Sequence, residues 1–151
     1  MDSENIKKDV QEIFSRMGFG EGIEAIDAHQ GATSRVSVRI RGDARMLIGE
    51  HGNNLAALEH IVRRIAAKKY GREEPFSLDI NDYRMQRLED LKQDVKQAAH
   101  GVRMHKKPIP LRPMSSFERR IVHLLLAEYP DIATESVGAD PERCVVIKPY
   151  P

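Results

Sequence analysis

Arg35-Val36-Ser37-Val38-Arg39-Ile40-Arg41, then Gly42, Asp43-Ala44-Arg45-Met46-Leu47-Ile48 and Gly49-Glu50-His51-Gly52, is the stretch that decides the fold. Its first seven residues alternate strictly. Val36, Val38 and Ile40 therefore face a core, and Arg35, Ser37, Arg39 and Arg41 form a solvated sheet face. Asp43 is the expected N-cap of a short helix ending at Ile48. Gly49 and Gly52 interrupt that helix with a tight turn. A longer helix is predicted from about Asn53 to Tyr70, its buried stripe made by Leu55, Leu58, Ile61, Val62 and Ile65. Lys68 and Lys69 suit its C-terminal dipole, and Gly71 ends it.

Working outward, Ile6, Val10, Ile13, Phe14 and Met17 recur at helical spacing before Gly18, which predicts a helix over 4–17. Residues 22–28 read as a strand and His29-Gln30-Gly31-Ala32 as a turn. Phe76-Ser77-Leu78-Asp79-Ile80 alternates as a third strand. A long helix starts near Asp82, with Met85, Leu88, Leu91, Val95, Ala98 and Val102 on one face. The prolines of 107–113 forbid helix, so that stretch is extended or an edge. Ser115-x-x-Glu118 is a capping box opening a helix to about Tyr129. Thr134–Val137 and Arg143–Ile147 read as strands around a turn at 139–142.

Composition bounds what such a chain does. The 151 residues are 40% hydrophobic and 31% charged, which suits one domain or two small ones with real cores. No apolar run reaches the ~18 residues of a membrane span. The acidic opening Met1-Asp2-Ser3-Glu4 lacks the pattern of a signal peptide. A single cysteine, Cys144, excludes an internal disulfide and a cysteine zinc site, and reads as a small buried hydrophobe in a reducing, cytoplasmic setting. Met46, Met85 and Met104 read as core residues. Net charge is only +1, yet residues 100–123 hold Arg103, Lys106, Lys107, Arg112, Arg119 and Arg120 against one acid, Glu118. The basic charge is local.

Enzymatic readings fail on motifs. The sequence has no Walker loop, no G-x-S-x-G, no His-Glu-x-x-His and no converging carboxylates for a metal. No catalytic residue, cofactor or metal is expected. A metal-free nuclease built on His123 with Lys107 or His105 as acid–base partners is conceivable but disfavoured, because a histidine is commonly a surface or structural residue, and His100 with His105, without further partners, read as basic surface rather than a metal site. Two constellations carry binding chemistry instead. Gly49-Glu50-His51-Gly52, followed by Asn53 at the start of a helix, lets backbone approach a ligand closely. Arg119 and His123 are i and i+4 on one helix face, where a cationic fork and an imidazole meet phosphate and bases. Lys107 and Arg112 lie just upstream and extend that patch.

A G-x-x-G turn between a short and a longer helix, after one alternating strand and before another, is the KH signature. Residues 4–81 resemble a type II KH domain, α-β-β-α-α-β. Residues 82–151 resemble the R-three-H domain, named for an Arg-x-x-x-His pair, here Arg119 and His123. Pro113–His123, Thr134-Glu135-Ser136 and Arg143–Ile147 are close to that pattern. Together the two resemble the bacterial Jag (KhpB) family, also called SpoIIIJ-associated protein. The expected fold is therefore α+β, a KH domain over 1–81 and a small α/β R-three-H domain over 82–151, joined through the long helix.

The resemblance implies a non-enzymatic, single-stranded RNA-binding protein, with single-stranded DNA as a second ligand. It implies a post-transcriptional role tied to cell envelope and division. It also implies a competing class, a protein-interaction module that pairs with a small KH protein, with a second copy, or with ribosome and membrane-insertase machinery. One departure stands out. Glu50 occupies a loop position that is usually basic in KH domains that bind RNA. With 5% aromatic residues and no Trp, a multi-aromatic stacking sheet is not expected.

Overall fold

The computed structural model describes residues 2–31, 33–71 and 75–151. The chain divides into two compact units, Met1–Met85 and Gln86–Pro151. The predicted turn at Ala32 lies partly outside the described residues.

The first unit runs α1 (Ser3–Arg16), β1 (Ile23–His29), β2 (Ser34–Ile40), α2 (Arg45–Ile48), α3 (Asn53–Tyr70) and β3 (Phe76–Ile80). Its sheet has the order β1-β2-β3. The β1–β2 pair is antiparallel, with Ile26 opposite Val38, and the β2–β3 pair is parallel, with Val36 opposite Leu78. Parallel neighbours need a crossover, and α2, the glycine turn and α3 supply it. The inward residues of β2 and β3 pack under Val10 and Phe14 of α1 and Leu55, Leu58 and Val62 of α3. Beyond β3 the Asn81 side chain extends the ladder, accepting from Ile40 N at 2.8 Å and donating to Ile40 O at 3.2 Å.

The second unit holds most of α4 (Tyr83–His105), then β4 (Ile109–Pro110), α5 (Ser116–Leu126), β5 (Ile132–Val137) and β6 (Cys144–Pro149). The sheet order is β4-β6-β5, all antiparallel, with Thr134 opposite Ile147. The proline-rich stretch contributes the two-residue edge strand β4. Leu91, Val95 and Val102 of α4 close the core with Val122 and Leu126 of α5 and Val145 and Ile147 of β6.

Several predicted core positions are not core. Met46, Met85 and Met104 are all exposed, and the α3 stripe is narrower than predicted. Ile61 is 50% exposed and Ile65 is also exposed, while Ala66 is buried in their place. The sheet covers only one side of α3, so the flanks of a wide apolar stripe stay in water. Asp43 lies one residue outside the α2 cap position, where Ala44 stands. Its carboxylate still accepts from Arg45 N at 2.9 Å. Cys144 is only partly buried.

Candidate functional site

The turn between α2 and α3 has an unusual backbone. Gly49, His51 and Gly52 have φ of 74°, 55° and 76°. Two of these positions depend on glycine. A Cβ on Gly49 would sit 2.6 Å from Asn54 Cγ, and one on Gly52 would sit 2.9 Å from Tyr83 Cε1. Asn54 also donates from Nδ2 to Met46 O at 2.8 Å, tying the end of α2 to the start of α3. The loop is thus wrapped on two side chains that leave no room for a Cβ. Gly52 caps α3 without a side-chain hydrogen bond, and Asn53 is exposed in the first turn.

The charge at this loop is not cationic. Glu50 projects into solvent, its Oε1 3.7 Å from His51 Nε2. The nearest arginine in sequence, Arg45, is held by Asp43, with Nη2 to Oδ2 at 2.8 Å. That side-chain bond lowers the Asp43 carboxyl to about 2.

In the second unit the capping box is complete. Ser115 Oγ accepts from Glu118 N at 3.2 Å, and Glu118 Oε2 accepts from Ser115 N at 2.9 Å. Glu118 is buried, and Arg87 Nε donates to its Oε1 at 2.5 Å. Burial alone would raise the Glu118 pKa, but the bonds from Arg87 and Ser115 outweigh it and hold the carboxyl below its ordinary value.

Arg119 differs from the sequence expectation of a solvent-facing fork. The residue is only 8% exposed. Its Nη1 donates to Met114 O at 2.7 Å and to Asp140 Oδ1 at 3.3 Å. Four residues on, the same side of α5 packs against β5, and there His123 is held at both ring nitrogens. Nδ1 lies 2.6 Å from Thr134 Oγ1 and Nε2 lies 3.0 Å from Ser136 Oγ. A neutral imidazole donates from one nitrogen and accepts at the other, and a hydroxyl satisfies either role. The i, i+4 pair therefore exists, but both members are fixed by the fold rather than free in water.

The rest of the basic stretch is partly neutralised too. Arg112 pairs with Asp94. Arg103 pairs with Asp131 at 2.8 Å and lies over the Tyr129 ring at 4.8 Å. Lys107 and Arg120 are exposed, and among the described residues neither has an ion-pair partner. Lys106 is exposed in the field of Asp131. Sequence reasoning missed the roles of Thr134, Ser136 and Asp140. The i, i+2 spacing of Thr134 and Ser136 on a strand was the available signal, since it puts both hydroxyls on one face. Among the described residues no group of three or more His, Cys, Asp or Glu is placed to hold a metal. No helix there is long and apolar enough to cross a membrane.

Comparison with known proteins bears on both units. Residues 86–149 match the R-three-H domain family. Three bacterial relatives carry the name RNA-binding protein KhpB. That of Clostridium symbiosum is 30% identical over 139 residues, covering 91% of this chain and 62% of the relative. That of Bacillus subtilis is 36% identical over 121 residues, covering 78% and 58%. That of Lactiplantibacillus plantarum is 35% identical over 102 residues, covering 68% and 32%. The chain thus spans less than two thirds of the length of these relatives.

Proposed function

The chain belongs to the bacterial Jag (KhpB) family, and from that premise we propose that it is a non-enzymatic protein that binds single-stranded RNA. The observation that carries this reading is the alignment of relatives named RNA-binding proteins with up to 91% of the chain. On this reading residues 1–81, within the first unit, form a type II KH domain and residues 82–151 the R-three-H nucleic-acid-binding domain. The element order α-β-β-α-α-β and the Gly49–Gly52 turn support the former assignment.

The proposed division of labour follows the geometry. Lys107 meets phosphate directly, and Arg112 does so from its ion pair with Asp94. His123, with both ring nitrogens held by Thr134 and Ser136, has the face of its ring left to offer a base. Arg119 acts through position. It ties the start of α5 to Asp140 while showing the strand only its exposed margin. Gly49, Glu50, His51, Gly52 and Asn53 form a rigid loop over which about four nucleotides pass, held by backbone amides. Single-stranded DNA is a weaker candidate for the same sites. A cytoplasmic, post-transcriptional role in envelope and division processes completes the proposal.

A second reading is favoured for the first unit by a specific observation. Ile61 and Ile65 stand exposed on α3, and Glu50 opposes phosphate at the loop. That unit then serves as a contact for another small KH protein or a second copy, leaving RNA to the second unit.

The test is fluorescence anisotropy of a labelled single-stranded RNA across a salt series. Counterion release gives a log–log slope of about −0.7 per neutralised phosphate on single strands. With Lys106, Lys107, Arg112 and Arg120 as the cations of the basic stretch that reach phosphate, a slope of about −3 is expected. All six cations acting freely would give about −4. No binding at low salt removes the RNA reading and leaves the protein-contact reading.

A further inference from the structure

We infer that Phe117, with Arg120 beside it, is a base-stacking residue on the outer face of α5, and this rests on the reading of the chain as a single-stranded nucleic-acid binder. One side of α5 is hidden in the second core. Glu118, Arg119, Val122 and Leu126 are its buried residues. Phe117 is 69% exposed and Leu124 is 64% exposed. Seven residues is close to two helical turns, so these two side chains lie in one line, roughly 10 Å apart along the axis. A single exposed apolar residue is ordinary. Two large ones in register, one of them aromatic, make an apolar strip that the core does not use.

Charge selects the occupant. The one acid of α5, Glu118, is turned into the protein and paired with Arg87. The outward side of the helix therefore carries no carboxylate. It carries Arg120, exposed and three residues from Phe117, where helix geometry makes the two neighbours. His123 borders the same side. An anionic strand whose bases each offer a π-face matches an aromatic ring next to a free cation. A cationic protein partner does not. With Arg119 buried, Arg120 is the arginine of this motif that can reach a phosphate.

The experiment uses the absence of tryptophan from the sequence. Phe117→Trp places a single indole at the stacking position, and its emission is followed while an oligouridylate is added. A second titration uses an abasic oligonucleotide of the same length and charge. The expected result is quenching by the uridylate and little by the abasic strand. In anisotropy, Phe117→Ala should weaken uridylate binding about 5-fold or more, the lower end of base–aromatic stacking. Its salt slope should be unchanged. Arg120→Ala should instead flatten the slope by about 0.7. Phe117→Ala binding like the wild type, or losing affinity equally for the abasic strand, overturns the stacking role while the RNA-binding reading stands. A wild type that binds no RNA at low salt overturns both. Circular dichroism should stay native for each variant, since both side chains are exposed.

Discussion

Arg119 illustrates how one side chain changes meaning between a sequence and a fold. An arginine followed four residues later by a histidine reads as a paired recognition face. In the structure its guanidinium holds the Met114 carbonyl and Asp140 instead. Arg119→Ala would strip a buried carbonyl of its donor and leave a small void. We expect a stability loss of about 1–3 kcal/mol, read from urea denaturation of the full chain. A variant as stable as the wild type would show that the guanidinium holds nothing together. The glycines behave oppositely, because their meaning survives folding. Gly49→Ala forces a Cβ against Asn54 at a φ of 74°. With ψ at 177° this is backbone that is essentially reserved for glycine, which alone costs about 1–3 kcal/mol, and the contact adds to it. A lowered melting temperature with reduced loop order by amide NMR is the expected outcome. An unperturbed spectrum would mean that the loop has a second, unstrained arrangement.

At the scale of elements, α5 shows which signals are local. The capping box was readable because it needs only Ser115 and Glu118 three residues apart. That Glu118 is also buried against Arg87 was not readable, since the partner is 31 positions away. This pairing sets an acid dependence. The Glu118 pKa is lowered in the folded protein relative to its ordinary 4.5. Its contribution is therefore complete above about 4.5 and lost as pH falls through the lower folded value. Glu118→Gln should remove that part of the acid-side decline in stability, measured by urea melts between pH 3 and pH 6, ranges set by that linkage. A variant with the same decline as the wild type would assign it to other carboxylates. The α3 helix teaches a complementary lesson. Its bounds follow from Gly52 and Gly71, but periodicity overstates its buried stripe. Ile61 and Ile65 satisfy the helical spacing, yet about half of each stays exposed.

At the scale of the whole chain, two separate cores hold the two units. Val36, Leu78 and Leu55 belong to the first, and Val122, Val145 and Ile147 to the second. Leu78→Ala deletes a fully buried side chain from the first core, at a cost of about 2–5 kcal/mol. Hydrogen exchange should then speed up across β2 and β3 while the amides of β6 keep their protection. Equal loss in both units would show that they unfold as one. The net charge of +1 is also a whole-chain quantity, and it conceals how the charges are spent. Arg103, Arg112 and Arg119 each face an acid, and among the described residues Arg120 and Lys107 do not. By itself the sequence determined the alternation of β2, the glycine turn, the Ser115–Glu118 capping box and the order of elements. These signals act between residues a few positions apart, and backbone sterics enforce them wherever they occur. Only the tertiary structure decided which cations are spent on carboxylates, that His123 is gripped by Thr134 and Ser136, and that Phe117 and Leu124 face water. Those outcomes depend on what folds across from a residue, and helix or strand periodicity defines a face without saying what will cover it.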